Sequence, residues 1–158
     1  MSTEKIYVVG GTGNSGQKVI RDLVKQGVPT TAFVGDRARA ERVLGMASHL
    51  EFVVRDYDNL DAFERSIEGH THLLGIAGRG TLVAIRPSRF MSNQFWFDLP
   101  TIKESGAIFN AQGGDKGLEW ISTDDIADVA THMLTGPVEK HGDAVYELID
   151  DDCSGVPL

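Results

Sequence analysis

The stretch from Ile6 to Gly16 reads Ile-Tyr-Val-Val-Gly-Gly-Thr-Gly-Asn-Ser-Gly, an apolar run that enters a cluster of glycines. Gly11, Gly13 and Gly16 have the G-x-G-x-x-G spacing, and Gly10 adds a G-x-x-G-x-x-G spacing to the same loop. Such glycines permit a tight turn out of a strand, a close approach of backbone to a pyrophosphate, and close packing of a helix on a sheet. The amide groups at the start of that helix then face the phosphates. The stretch therefore predicts a strand, a turn and a helix that together bind a dinucleotide.

Apolar segments with the spacing of strands and helices alternate through the first half of the chain. The predicted strands after the glycine turn are Thr30–Val34, Leu50–Val54 and Thr71–Ala77. The predicted helices are the one that ends near Gly27, a short one over Ala38–Leu44, and one whose apolar face is Leu60, Phe63 and Ile67. This alternation implies parallel strands joined by right-handed crossovers. We expect a single α/β domain over residues 1–158 with a doubly wound, mainly parallel sheet.

Composition narrows the classes of partner. The 158 residues include 15 basic and 23 acidic side chains, and the net charge of −8 argues against binding nucleic acid through a basic surface. The single cysteine, Cys153, excludes a disulfide within the chain. No apolar run has the length of a membrane span, and the N-terminus has no signal-peptide pattern. We therefore expect a cytoplasmic protein without a membrane partner.

Five motifs in a fixed order carry a family resemblance. In chain order they are Val-Val-Gly-Gly-Thr-Gly-Asn-Ser-Gly, Ala-Phe-Val-Gly-Asp-Arg, Phe-Val-Val-Arg-Asp-Tyr-Asp, Ile-Arg-Pro-Ser-Arg-Phe-Met-Ser-Asn and Trp-Ile-Ser-Thr-Asp-Asp-Ile-Ala-Asp-Val-Ala. With them the chain resembles the NmrA-like, atypical short-chain dehydrogenase/reductase family, and it is similar to that family's NAD(P)H:quinone reductase branch. The resemblance implies a Rossmann-like fold, NADP or NAD as the cofactor, and oxidoreductase activity on a small molecule.

The resemblance also implies roles for individual residues. The positions that hold the pyrophosphate in the family are here Gly10, Thr12, Gly13, Asn14, Ser15 and Gly16. Asp56, with Tyr57 beside it, stands where the family faces the adenine, and Ala77 stands near the cofactor ribose. The segment that begins at Arg86 stands where the family closes over the nicotinamide and begins the substrate pocket.

Cofactor preference depends on the residues after the second predicted strand. Family members that prefer NADP usually have an arginine directly after this strand, whereas this chain has Gly35. Asp36 could accept a hydrogen bond from the 2′-hydroxyl of NAD, and Arg37 or Arg39 could pair with the 2′-phosphate of NADP. The two arginines could equally form a solvated helix face. Both cofactors stay open, with a slight preference for NADP.

The chain is shorter than the family pattern after the fourth predicted strand. Only Gly78, Arg79 and Gly80 separate Ala77 from the next predicted strand, Thr81–Arg86, where the family has helices and a further strand. Three residues are too few for a parallel crossover. The sheet is therefore expected to be shortened, either with an antiparallel hairpin over Thr71–Arg86 or with a partner strand from a second subunit. The unpaired edge that results predicts a homodimer.

The second half of the chain contains a dense aromatic cluster of Phe90, Met91, Phe95, Trp96 and Phe97. At helical spacing these side chains cannot all face one core, so some are expected at a cleft or a subunit interface. We expect Phe90, Met91, Asn93 and Trp96 to bind a flat aromatic or quinone-type substrate. Asn93 is the polar side chain best placed to orient that substrate, and it is the weak candidate for a catalytic residue.

The proton-donating pair of short-chain reductases is missing from the sequence. Tyr7, Tyr57 and Tyr146 all lack a lysine four residues on, so no Tyr-x-x-x-Lys pair exists. Hydride transfer to a quinone mainly requires that the protein hold the quinone against the nicotinamide, because the nicotinamide itself supplies the hydride. Two alternatives stay open: a regulator that senses NAD(P) without turnover, and a non-redox cyclase or isomerase. His70 and His72 form an H-x-H pattern without an evident third ligand, so we expect no metal.

Overall fold

The structure, a computed structural model, describes residues 4–54, 59–75, 83–109 and 119–149. Its strands are β1 (Ile6–Val9), β2 (Thr30–Val34), β3 (Leu50–Val54), β4 (His72–Leu74), β5 (Ala84–Pro87), β6 (Arg89–Phe90), β7 (Trp120–Ile121) and β8 (Val145–Leu148). Its α-helices are α1 (Asn14–Lys25), α2 (Arg37–Leu44), α3 (Leu60–Ile67), α4 (Leu99–Ser105), α5 (Thr123–Thr135) and α6 (Val138–His141). A π-helical turn, Gln94–Asp98, runs directly into α4. None of the described helices combines the length and the apolar character that crossing a bilayer requires.

The central sheet has the strand order β3-β2-β1-β4, and all of its pairings are parallel. Ile6 of β1 lies opposite Thr30 of β2 on one side and His72 of β4 on the other. The chain leaves β1 toward β2 and later returns to the other side of β1 as β4, so the strand order reverses at β1. Parallel α/β sheets bind ligands at the carboxyl ends of their strands beside such a reversal. The expected doubly wound, mainly parallel sheet is therefore confirmed.

Helices α1 and α5 form the best-buried layer against this sheet. Val19, Ile20 and Leu23 of α1 belong to the same buried cluster as Ala127 and other small residues of α5. The start of α5 is fixed to α1 by polar contacts as well. Lys18 Nζ donates to Thr123 Oγ1 at 2.7 Å and forms an ion pair with Asp124. Because α1 follows the glycine turn directly, this packing holds the turn against the body of the domain.

The pairing of β5 corrects one expectation. The hairpin considered for Thr71–Arg86 is not the pairing that the described residues make, because β4 pairs with β1 and β5 pairs in parallel with β8. Ala84 N donates to Ala144 O at 3.0 Å, and Ser88 N donates to Leu148 O at 2.9 Å. The chain between β5 and β8 includes α5 and is long enough for the crossover that a parallel pair needs. The predicted strand Thr81–Arg86 begins at Ala84 in the described residues.

Candidate cofactor site

The glycine turn after β1 has the geometry that its spacing predicts. Gly10 has a φ of 74°, which is the left-handed region that favours glycine, and its carbonyl accepts the N–H of Gly13 at 2.9 Å. A β-carbon on Gly16 would lie 2.5 Å from the Gly10 carbonyl oxygen and 3.1 Å from the Gly11 Cα. Only glycine at position 16 therefore lets the first turn of α1 pack so closely on the end of β1.

The start of α1 is left open for an anion. Gly13 is its N-cap and makes no side-chain capping hydrogen bond, and the first turn of α1 contains no acidic residue. By contrast, α2 and α5 are capped by the side chains of Asp36 and Ser122. The first amide groups of a helix have no acceptor within the helix, and the dipole there is positive. The amides of Asn14 and Ser15 thus suit a pyrophosphate.

A cleft of about 340 Å³ lies at the carboxyl ends of β1 and β2, beside the glycine turn. Its lining consists of Gly10, Thr12, Phe33, Val34, Gly35, Asp36 and Arg39. Pockets for small molecules and cofactors have volumes of roughly 300–1,000 Å³. The structure therefore brings the predicted pyrophosphate residues Gly10 and Thr12 together with the residues predicted to select between NAD and NADP.

Arg37 and Arg39, the two arginines predicted to pair with the 2′-phosphate of NADP, have different surroundings. Arg37 Nε donates to Glu41 Oε1 at 2.8 Å along the exposed face of α2. Arg39 lines the cleft, and its guanidinium forms no ion pair among the residues that the structure describes. Asp36 Oδ1 accepts the backbone N–H of Arg39 at 2.8 Å, so one oxygen of this carboxylate caps α2. Arg39 is the arginine with its positive charge available to the cleft.

Four other residues predicted to bind the cofactor lie either outside the described residues or outside the cleft. Asp56, Tyr57 and Ala77 lie outside the described residues. Arg86 is an exposed residue of β5 whose register partner is Glu147 of β8, and it is not part of the cleft lining. The roles that the resemblance implies for these four residues stay predictions.

The predicted substrate residues lie on β6 and on the segment that follows it. Phe90 and Asn93 are half-buried, whereas Met91 and Trp96 are exposed. Met91 N donates to Ile121 O at 3.0 Å, which extends the pairing of β6 with β7 by one bond. The described cleft does not include any of these four residues, so their part in substrate binding also stays a prediction.

This chain is similar to a family of NAD(P)H-binding sequences and to solved structures of two reductases. Residues 10–86 match the model of a family described as NAD(P)H-binding. The NADPH-dependent quinone oxidoreductase QOR2 of Escherichia coli, solved with NADPH, has a TM-score of 0.71 at 20% identity over 93% of this chain and 70% of that one. The Citrobacter sp. triphenylmethane reductase, solved with NADP(H), has a TM-score of 0.67 at 19% identity with the same coverages. These similarities support the resemblance to the NmrA-like, atypical short-chain dehydrogenase/reductase family that the sequence motifs carry.

A structure of similar length also has this fold. The Rossmann-fold NAD(P)-binding family protein of Shigella flexneri has a TM-score of 0.57 at 14% identity over 96% of this chain and 98% of that one. At these identities the structures establish a common Rossmann-like fold. Curated protein sequences give no match. The description of the matched family agrees with the expected cofactor, NADP or NAD.

Phe33 lies within the second sequence motif, but no part in the site was predicted for it. It is 4% exposed near the end of β2, lines the cleft, and packs edge-on against Phe63 at 5.1 Å between ring centroids. Behind it lies Tyr7, whose pKa is raised by burial and lowered to a lesser degree by a hydrogen bond with Ser66. An aromatic near the carboxyl end of the second strand is the signal that could have identified it.

His70, the first histidine of the H-x-H pattern, has structural contacts on both ring nitrogens, whereas among the described residues His72 has a partner only for Nδ1, the Thr71 hydroxyl at 3.0 Å. Nδ1 of His70 lies 2.9 Å from the Ile67 carbonyl oxygen, and Nε2 lies 2.8 Å from Thr31 Oγ1, so both ring nitrogens have partners. Within the described ranges no group of three or more histidine, cysteine or acidic side chains could hold a metal ion.

Proposed function

We propose that this chain is an NAD(P)H-dependent reductase that acts on an aromatic or quinone-type small molecule. The observation that carries the proposal is the cleft at the carboxyl ends of β1 and β2, next to the uncapped start of α1. The cleft combines a glycine turn, free helix amides and one arginine, which together suit a dinucleotide phosphate. Proteins of similar fold include a quinone oxidoreductase and a triphenylmethane reductase, which supports the reaction class.

The residues of the chain divide into those that hold the cofactor and those that hold the substrate. The proposed pyrophosphate contacts are the residues of the turn and the helix start, Gly10, Thr12, Gly13, Asn14, Ser15 and Gly16. The proposed contacts to the adenosine and nicotinamide ends are Asp36, Arg39, Asp56, Tyr57, Ala77 and Arg86. A bound NAD(P)H supplies the hydride, and the protein supplies orientation.

NADP is the cofactor that the cleft favours. A guanidinium fork matches the geometry of a phosphate and forms charge-assisted hydrogen bonds with it. Arg39 lines the cleft without an ion-pair partner among the described residues, whereas Arg37 is paired with Glu41. Asp36 Oδ1 accepts the Arg39 amide, so the carboxylate holds the start of α2, and with it Arg39, beside the cleft.

The substrate is proposed to bind beside β6. Phe90 and Asn93 are half-buried there, so the first can contribute an apolar wall and the second a hydrogen-bonding amide. The sequence lacks a Tyr-x-x-x-Lys pair to deliver a proton. A quinone is a suitable acceptor, because the hydroquinone anion that forms when the hydride arrives can take the one proton it needs from water. Asn93 is proposed to orient the ring rather than to donate the proton.

The experiment that tests the function follows NADPH absorbance with and without an added naphthoquinone. We expect oxidation only when the quinone is present, and loss of that oxidation in Gly13→Val, whose side chain would enter the phosphate contact. Arg37→Ala, which alters an exposed residue outside the cleft lining, serves as the matched control and should retain activity. NADPH binding without oxidation across a panel of quinones would favour a sensing regulator. Absence of NADPH and NADH binding would favour a non-redox enzyme instead.

A further inference from the structure

The segment formed by the π-helical turn and α4 has its apolar side chains in solvent. We define the aromatic surface as Phe95, Trp96, Phe97, Leu99 and Ile102. The three aromatic side chains are 72%, 73% and 66% exposed, and α4 has no buried residue. The buried residue of the π-helical turn is Asp98, which is 3% exposed. Helices on the surface of globular proteins normally turn their apolar face to the core. In this segment the aromatic side chains face solvent and the Asp98 side chain is buried instead.

Specific contacts hold the segment in this orientation. Arg89 Nη2 donates to Asp98 Oδ1 at 2.6 Å, which ties the start of the helical segment to β6. The Arg89 guanidinium also lies 4.7 Å from the ring centroid of Trp120 in the neighbouring strand β7. A buried carboxylate is costly unless it is paired, and a cation stacked on an aromatic ring adds to the stability. The outward direction of the aromatic surface is therefore fixed by an ion pair.

We propose that the aromatic surface is the interface between two copies of this chain. A surface paired with itself across a two-fold axis needs no other partner, and two-fold dimers are the commonest assembly of soluble proteins. No residue of the aromatic surface is charged, although the whole chain carries −8. The exposed neighbours Lys103 and Glu104 on α4 carry opposite charges, so two copies can meet there without a net excess of one charge. Pairing covers aromatic and aliphatic side chains that water solvates poorly.

The area of the surface is sufficient for a dimer. At roughly 200 Å² for a whole aromatic side chain, the exposed parts of Phe95, Trp96 and Phe97 come to roughly 400 Å². Leu99 and Ile102 extend that area. A patch of this size matches the largest apolar patches on monomers, roughly 300–600 Å², which are often functional. Two such surfaces bury about 1,000 Å² together, which is the minimum expected of a biological interface and the size of a weak, reversible dimer.

Sedimentation velocity of the full chain tests the interface over the micromolar concentration range. We expect the wild-type chain to sediment as a dimer and both Phe95→Lys and Ile102→Lys to sediment as monomers with unchanged circular dichroism. Met46→Lys is the matched control, since Met46 is an exposed apolar residue in the loop after α2, outside the aromatic surface. It should remain dimeric. A monomeric wild-type chain, or variants that dimerise like wild type, would overturn the proposal.

Fluorescence gives a second measurement that does not depend on a charged substitution. The chain has two tryptophans, so Trp120→Phe leaves Trp96 as the only one. We expect its emission to shift to shorter wavelength as the concentration rises through the dimerisation range. Quenching by a quinone in a chain that stays monomeric would assign the surface to the substrate and overturn the proposal. Neither readout requires NADPH, so failure of the interface and failure of the proposed reductase activity are distinguishable.

Discussion

At the scale of single residues, Arg39 is the side chain that we propose to separate the two cofactors. The phosphate that distinguishes NADP from NAD needs a cation at the end of β2, and Arg39 lines the cleft there. A hydrogen bond to a charged group contributes about 1.5–3 kcal/mol. Arg39→Ala should therefore weaken NADPH binding by roughly tenfold to a hundredfold and leave NADH binding nearly unchanged. Titration calorimetry with each cofactor measures both affinities.

Arg37→Ala is the control for this experiment. Arg37 has the same charge and lies two residues away, but its Nε is paired with Glu41 at 2.8 Å on the outer face of α2. Exposed pairs of this kind contribute little to stability. Because Arg37 does not line the cleft, the ratio of NADPH to NADH affinity should stay at the wild-type value in this variant. If the Arg37 variant loses the preference and the Arg39 variant keeps it, the assignment is reversed.

At the scale of elements, the start of α5 holds the layer that supports the glycine turn. Ser122 Oγ accepts the N–H of Asp124 at 2.9 Å and that of Asp125 at 3.3 Å, so it caps α5. Ser122→Ala should lower the free energy of unfolding by about 1 kcal/mol, because two amides lose their acceptor. Urea unfolding followed by circular dichroism measures the change.

The matched control for the cap is Ser48→Ala. Ser48 is exposed in the loop before β3, and its hydroxyl lies 3.4 Å from a ring nitrogen of His49. Its replacement should change the free energy of unfolding by less than about 0.5 kcal/mol, as surface substitutions usually do. Equal losses in the two variants would show that the cap of α5 contributes nothing specific.

The elements also show which parts of this chain its sequence predicts. The segment from β1 to β3 is predicted well, because each turn there is local and Gly16 leaves one way to pack α1 on β1. The partner of β5 could not be predicted from local pattern, because β8 lies beyond α5 in the chain. The burial of Asp98 could not be predicted from the sequence either, because it depends on an ion pair with Arg89 in a different element. Periodicity alone indicates that the aromatic residues of that segment cannot all face one core, but it does not show which of them face solvent.

At the scale of the whole molecule, the cofactor should stabilise the entire described α/β unit. The cleft is built by the turn after β1, by β2 and by the start of α2. The turn leads directly into α1, which is packed on α5 from the second half of the chain. A ligand that binds only the folded chain at a hundred times its Kd adds about 2.7 kcal/mol to the free energy of unfolding. For a chain of this size, NADPH should therefore raise the Tm by roughly 5–10 °C.

Gly13→Val should abolish that rise without unfolding the chain. Gly13 has a φ of −76°, which any residue can adopt, and a β-carbon there would lie 3.2 Å from the Gly10 carbonyl oxygen, so a small shift accommodates it. The added side chain then stands at the start of α1, where the pyrophosphate must approach the amides. Thermal scans of wild type, Gly13→Val and Arg37→Ala, each with and without NADPH, decide the point. An equal rise in all three would mean that NADPH binds away from the glycine turn, and the proposed cleft would then have to bind something else.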